Sequence, residues 1–466
     1  MRLTVITLAL ALSACSMTPE FVRPDAPVPS RYPDHASQAD MPSAALVGWR
    51  SMFGDPRLQA LIETALHNNR DLRIAMLNVE ATRAQYRIQR SEQFPAIGAT
   101  AGMTRERSRS LSPDPTVQRQ VSAGLGVTAF ELDLWGRARS MSEAAFSRYL
   151  ASEEARRAAK VSLVASVADA YFAERLAAEQ EALARRTLAN WKEQRDLALQ
   201  LRKALQNSGI DVAQAEGQVA RAEAEVEARH RDVLRARNAL VQLVAADLDT
   251  VDLPEAISLE RQPVRTQLPA GLPSDLLIHR PDIRQAEQVL RAANADIGAA
   301  RAAFFPRVSL TTTLGFASPD FGGLFRGDNR VWSFAPSITQ PLFDAGRLRA
   351  ELRLSELRKS VAVAQYEQAI QVAFREVADG LAGSETYALQ SGAQERVVAE
   401  EQRRAELAGQ RYRAGVDGRL EWLDAQRELF AAQLELLALR RDALGNATGL
   451  YKALGGGAFH TDDTGS

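Results

Sequence analysis

The sequence predicts a mostly α-helical chain with membrane β-strands, built as a tandem duplication of helix, strand, strand, long helix and shorter helix. Three observations carry this reading. Gly136–Asn207 and Gly346–Ala414 have the composition of very long single helices. Beside them lie segments whose apolar residues recur at every second position. The second half of the chain then repeats the first at an almost constant offset.

The amino terminus reads as an export signal. Arg2 precedes an apolar run, Leu3 to Leu12, followed by Ser13, Ala14 and Cys15. A membrane-spanning helix needs ~20 apolar residues, so residues 1–14 fit a secretory signal peptide better. Cys15 is the only cysteine in 466 residues and has no internal disulfide partner. Leu12-Ser13-Ala14-Cys15 resembles a bacterial lipobox, which implies cleavage before Cys15 and lipidation of its sulfur and new amino group. Several acyl chains anchor firmly where one does not. Ser16, rather than Asp, follows Cys15, which points to outer-membrane sorting. Residues 15–47 are rich in Pro, Ser and Asp and read as an extended, lipidated tether.

The first repeat occupies residues 48–246. A short helical start spans Trp49–Phe53, and Asp55-Pro56 fits a cap with Pro in the first turn. The helix that follows runs to about Gln93, with one break candidate at Asn68-Asn69-Arg70. Strands are expected at about 96–106 and 120–133, where Ile97, Ala99, Ala101 and Met103 alternate with Gly98, Thr100 and Gly102. After Gly136 no Pro or Gly occurs until Gly209. At 1.5 Å per residue such a helix spans roughly 100 Å, too long for a compact domain to enclose. Beyond Gly209, Val212, Val219, Val226, Val233 and Leu240 recur every seven residues, the seam of a coiled coil. Residues 247–273 form a Pro-punctuated connector.

The second repeat, 274–454, matches the first. Asn69-Arg70-Asp71-Leu72-Arg73 corresponds to Arg280-Pro281-Asp282-Ile283-Arg284, and Phe94-Pro95 to Phe305-Pro306, both at an offset of 211. Gly136-Arg137 corresponds to Gly346-Arg347 at 210. Its strands are expected at about 306–317 and 330–343, and Leu423, Phe430, Leu437, Leu444 and Tyr451 again recur every seven. Residues 455–466 read as a flexible, Gly-rich tail.

The strand lengths match the nine to eleven or so residues that cross a bilayer, and the second face is small and polar, as a wet lumen requires. A soluble hairpin would bury one face but has no need of the other. Four strands cannot close a barrel, and an open edge in lipid leaves backbone groups unpaired. Two copies give a filled barrel and three leave an aqueous lumen.

Composition excludes other classes. At 46% hydrophobic and 25% charged the chain is neither disordered nor a helical membrane protein. A net charge of −1 offers no nucleic-acid partner. The five His stand apart, so a metal site is not expected, and no nucleophile motif or phosphate loop marks an enzyme. No cofactor is expected beyond the covalent lipid.

The chain resembles the TolC-type outer-membrane efflux factors, in the NodT-like lipoprotein subgroup. The words that carry the resemblance are WRSMFGDPRL (49–58), LLIHRPDIRQAE (276–287), Phe304-Phe305-Pro306, QPLFDAGR (340–347) and RYRAGVDGRLEWLDAQ (411–426). The resemblance implies a homotrimer, with a 12-stranded β-barrel in the outer membrane and a 12-helix α-barrel across the periplasm. An equatorial belt, formed by the connector and the terminal segments, would surround it. It also implies a passive exit duct for drugs or other small molecules, served by a periplasmic adaptor and an inner-membrane pump of the resistance-nodulation-division type. The alternative is a periplasmic coiled-coil adaptor lipoprotein. That class has one helical hairpin in a small β-domain, whereas this sequence shows two hairpins and two membrane-type strand pairs.

By resemblance, the periplasmic gate lies at the turn between long and short helices. In the second repeat this turn is Ala414-Gly415-Val416-Asp417-Gly418-Arg419. Asp417 corresponds to a gate acid of related lipoproteins, and a threefold axis would turn it into a ring of three like charges. Glu421 and Asp424 share its helical face and resemble the acids of the pore constriction. Tyr412 resembles a Tyr that holds the closed state by hydrogen bonding. Acids are favoured at any helix start, so plain solvated charges remain the alternative for all three. Arg419 is expected to pair with one of these acids. Gly209 and Gly415 are expected at the hairpin-tip turns. The first-half tip departs from the pattern, with Leu205 where the second half has Gly415.

Overall fold

The computed structural model describes residues 16–32, 47–108, 116–269 and 273–458. Cys15 and the signal segment 1–14, with their expected lipidation, lie outside the described residues. So do residues 459–466 of the tail expected at 455–466; its first residues are packed instead, and a Cβ at Gly455 would meet the His279 carbonyl oxygen at 2.7 Å.

Its helices are α1 (Trp49–Met52), α2 (Pro56–Asn68), α3 (Arg70–Ser91), α4 (Arg137–Lys203), α5 (Gly209–Val244), α6 (Pro273–His279), α7 (Pro281–Ala302), α8 (Arg347–Arg413) and α9 (Arg419–Ala453). The strands are β1 (Ile97–Ser108), β2 (Thr116–Leu132), β3 (Arg307–Ser318) and β4 (Arg330–Thr339). Both α4 and α8 contain 67 residues. The chain divides into two compact units. One takes in the chain up to Asp25, Leu77–Glu153 and Gln285–Glu367; the other takes in Ala26–Met76, Glu154–Arg284 and the chain from Gln368.

The first unit carries one antiparallel sheet in the order β1-β2-β3-β4. Its register sorts the side chains. Ala99, Leu125, Leu314 and Trp332 form one cross-strand row, and Ile97, Val127, Thr312 and Phe334 the next. Trp332 and Phe334 stand exposed on this apolar face. The opposite face carries Gly98, Gly126, Thr313 and Ser333. Here Thr313 and Ser333 hydroxyls bond at 2.6 Å, and Ser309 and Ser337 at 2.7 Å. A bulge interrupts β2 between Val127 and Phe130, with Ala129 at φ 53°. β4 stops at Thr339, because Pro341 has no N–H for a ladder.

The segment after Cys15, read from its composition as a tether, is docked on one face of α7. Arg23 bonds Glu287 at 2.7 Å, Arg291 lies 4.3 Å over the Phe21 ring, and Asn294 donates to the Pro19 carbonyl at 2.8 Å. Gly298 completes the face, since a Cβ there would meet Thr18 Oγ1 at 2.2 Å. Composition cannot show this, because the partners lie more than 260 residues away in sequence.

The second unit is centred on α1 and α2. Met52, Phe53, Leu58, Leu61 and Ile62 are fully buried. Asp55 caps α2 through the Arg57 amide at 2.8 Å. Its other oxygen accepts from the Tyr171 hydroxyl at 2.7 Å and from Gln262 at 3.0 Å. Burial, then the bond to Asp55, pushes the Tyr171 hydroxyl well above its ordinary range. A single bridge, Phe53 to Val264, ties the connector to α1.

The word LLIHRPDIRQAE acquires a structural meaning here. The Arg280 side chain is 6% exposed. It holds Asp282 at 3.0 and 2.6 Å, Glu376 at 2.7 Å and the Ala453 carbonyl at 2.9 Å. One guanidinium therefore joins α7, α8 and the end of α9. Burial alone would raise the Asp282 carboxyl, but Arg280 holds it below its ordinary value.

Candidate functional site at the hairpin tips

Both tips belong to the second unit, and both turn in the same way. In the second, Gly415 sits at φ +70°, its amide bonds the Tyr412 carbonyl, and the Val416 amide bonds the Arg411 carbonyl, each at 3.0 Å. This pair of bonds closes a helix whose next residue is left-handed. In the first tip the same two bonds run from Leu205 to Arg202 at 3.1 Å and from Gln206 to Leu201 at 2.9 Å. Leu205, not a glycine, is the left-handed residue there, at φ 61°. Gly209 is no turn glycine. It is the first residue of α5, whose cap is Ser208, and it is not among the left-handed residues.

A side chain in the left-handed region costs roughly 1–2 kcal/mol. Gly415→Ala is therefore expected to loosen the second tip by about 1 kcal/mol. Leu205→Gly should recover less, because glycine also frees the unfolded chain. Hydrogen exchange at the last-turn amides of α8 and α4 checks both; unchanged exchange in Gly415→Ala would show that the tip does not carry this strain.

Each candidate acid has an arginine. Arg411 forks onto Asp417, with Nη2 to Oδ1 at 2.9 Å and Nε bonded to Oδ2. That hydrogen bond holds the Asp417 carboxyl below its ordinary value. Arg404 donates to Glu421 and to Asp424, each at 3.0 Å, and Arg427 also bonds Asp424. Asp417 and Glu421, with Arg404 and Arg411, line a groove of about 840 Å³. Exposed pairs of this kind are screened by salt and exchange partners readily.

Arg419 does not pair with these acids, contrary to expectation, since Arg411 and Arg404 already hold them. Its Nη1 donates to the Asp211 carbonyl at 3.0 Å, so it ties the second tip to the first. Asp211 is set for this by a capping box: its carboxylate accepts from the Ser208 amide at 2.9 Å, and its own amide donates to Ser208 Oγ at 3.3 Å. The Ser208 hydrogen bonds, and then the Arg419 charge, hold Asp211 below its ordinary value. The Tyr412 ring stacks on Trp422, with centroids 5.3 Å apart and planes 25° apart. Gly409 leaves room for this, because a Cβ there would meet Trp422 Nε1 at 2.9 Å.

Above the tips each hairpin has its own buried cluster. Ala405, Ala408 and Ala425 form one buried cluster, and Trp191, Val219 and Ala222 form another, against which Leu423 leans. Gln194 bonds Gln426 at 2.8 Å. Sequence reasoning missed Arg404, Arg411 and Trp422. Arg411 and Trp422 lie inside the word RYRAGVDGRLEWLDAQ, and the cue was available in their flanking positions.

The model of the family described as outer membrane efflux protein matches residues 61–246 and 272–456, one span in each repeat. The chain belongs to this family. A toluene efflux pump outer membrane protein of Pseudomonas putida, TtgC, is 44% identical over 464 residues, covering 98% of this chain and 96% of that protein. The outer membrane protein OprJ of Pseudomonas aeruginosa is 43% identical over 460 residues, covering 97% and 95%. Among solved structures, the open state of the MtrE outer membrane channel of Neisseria gonorrhoeae matches with a TM-score of 0.87 at 41% identity, over 95% of this chain and 99% of that one. A membrane protein of Pseudomonas aeruginosa matches with a TM-score of 0.90 at 41% identity, over 97% and 100%. This outer membrane efflux protein is thus a TolC-type channel component of the Gram-negative outer membrane. It is not an enzyme and needs no cofactor. It works as the outer-membrane part of a tripartite system with an adaptor and an inner-membrane pump. Among the described residues no helix is long and apolar enough to cross a membrane, and no cluster of His, Cys, Asp or Glu could hold a metal.

Proposed function

We propose that three copies of the chain form one exit duct, which passively conducts drugs or other small molecules handed on by a resistance-nodulation-division pump. The supporting observation is the four-stranded sheet, apolar on one face and polar on the other, with β1 and β4 as unpaired edges. Edges in lipid must be paired, and joining β4 of one copy to β1 of the next gives twelve strands around an aqueous lumen. The long helices supply two hairpins per copy, hence twelve staves. Residues 1–14 act as a signal peptide, 15–47 as the lipidated segment starting at Cys15, 48–246 and 274–454 as the two repeats, 247–273 as the equatorial connector and 455–466 as the tail.

The periplasmic gate then lies at Asp417, Glu421 and Asp424, with Tyr412 and Arg419 holding its closed form. Their arginine partners make the resting gate a set of neutral pairs; opening separates them and exposes acid to the lumen, which favours cations. Purified wild-type trimer in a planar bilayer is expected to be a low-conductance pore, and Asp417→Ala to raise resting conductance several-fold and lower cation preference. Identical conductance and selectivity in the variant would remove Asp417 from the gate. Failure of the wild type to run as a heat-modifiable trimer would remove the duct itself.

A further inference from the structure

The sheet carries a feature at its far end that conduction does not use. β1 ends at Ser108, β2 starts at Thr116, β3 ends at Ser318 and β4 starts at Arg330 on the side away from the helices that precede or follow these strands, which in an outer-membrane barrel is the outer leaflet. Along the apolar face the cross-strand rows run from Ala99, Leu125, Leu314 and Trp332 to Met103 and Val121, and then change character. Arg105 stands directly opposite Arg119 in register, and Arg107 opposite Val117. Arg330 occupies the same face on β4, opposite Phe316. The alternation puts the neighbouring acid elsewhere, since Glu106 points to the other face, opposite Gln118. All four arginines are exposed. Among the described residues none of them is in an ion pair, and Arg119 rests only on the Phe321 ring, 5.6 Å from its centroid.

Two like charges directly opposite across a ladder destabilise it. Arg105 and Arg119 just beyond an apolar band, with Arg107 one row further out and Arg330 two rows inside, near exposed Phe321 and Phe325, need an anion at the edge of the hydrocarbon. The outer leaflet of a Gram-negative outer membrane presents such a group in the phosphates of its glycolipid. Arginine is suited to them, because its planar fork bonds two phosphate oxygens at once. We infer that Arg105, Arg107, Arg119 and Arg330 form a binding surface for the phosphates of outer-leaflet lipid A. The surface fixes the height of the barrel and neutralises the Arg105–Arg119 repulsion. The inference rests on the outer-membrane barrel reading above.

The test uses detergent-solubilised full-length trimer and fluorescent bisphosphorylated lipid A. Wild type is expected to bind it in a salt-sensitive way, and the double variant Arg105→Gln/Arg119→Gln roughly 25-fold more weakly, at about a factor of five per arginine near an anionic surface. Dephosphorylated lipid A should bind wild type as weakly as the variant binds the bisphosphate. Equal affinity of both proteins, or equal binding of both lipids, would overturn the inference. So would displacement by inorganic phosphate at the same concentration, which would reassign the patch to a free anion. The lipid and salt comparisons need only wild-type protein, so a misfolded variant does not remove the test. Wild-type protein absent from the outer-membrane fraction would overturn the barrel reading. Protein present there without phosphate dependence would overturn this inference alone.

Discussion

Arg280→Ala is expected to destabilise the protein by about 3–5 kcal/mol, the range for removing one partner of a buried ion pair. The Arg280 side chain is almost wholly enclosed and satisfies two carboxylates and the Ala453 carbonyl. Without it, Asp282 keeps the burial that raises its pKa and loses the partner that lowers it. The folded wild-type Asp282 holds its proton less tightly than the unfolded one. Its contribution is therefore complete above the ordinary carboxylate range and fades as pH falls through the lowered value. Arg280→Lys should lie between the two, since an ammonium keeps the charge but not the fork. Urea unfolding of the three proteins provides the check. A loss below about 1 kcal/mol in Arg280→Ala would place the guanidinium among surface pairs instead.

Gly315→Val should break the sheet. A Cβ at Gly315 would lie 2.3 Å from the Ala123 carbonyl oxygen and 2.5 Å from Gly124 Cα, both backbone atoms that cannot turn away. Gly124 is its register partner, and a Cβ there would in turn meet the Leu314 carbonyl at 2.8 Å. Overpacking at such a point costs about 3 kcal/mol or more. The same change at Gly102, on the same face of β1 with open space around it, should stay within about 0.5 kcal/mol. The fraction of heat-modifiable band on a gel separates the two. Equal fractions would mean that β2 and β3 can move apart freely.

Much of this was legible in the sequence because periodicity is local. The two-residue alternation gave the strands to within a few residues at most ends, and long stretches of strong helix formers without Pro gave the long helices. The duplication was visible because Phe94-Pro95 and Phe305-Pro306 kept their spacing. What was hidden depends on residues distant in sequence. Phe21 and Arg23 look like linker until α7 is beside them. Arg404 lies 17 residues before Glu421 in sequence, and only the hairpin brings them together. Arg419 was expected to choose a carboxylate, yet it took a backbone carbonyl from the other tip. Leu205 breaks the local rule that a left-handed position takes glycine, so reading the turn from glycines alone placed it at Gly209.

The two tips share one backbone path but not one surface. The first offers the bare side chain of Leu205, 86% exposed, beside a capping box built on the Asp211 carboxylate. The second offers Gly415 and a forked pair, Arg411 with Asp417. A docking protein made of identical copies cannot treat the two as equivalent. In the trimer proposed above, it must either carry a contact tolerant of both, or seat its copies with alternating strength around the ring. Loosening would then begin at every other seat, and the mouth would widen as a triangle before it widened as a circle.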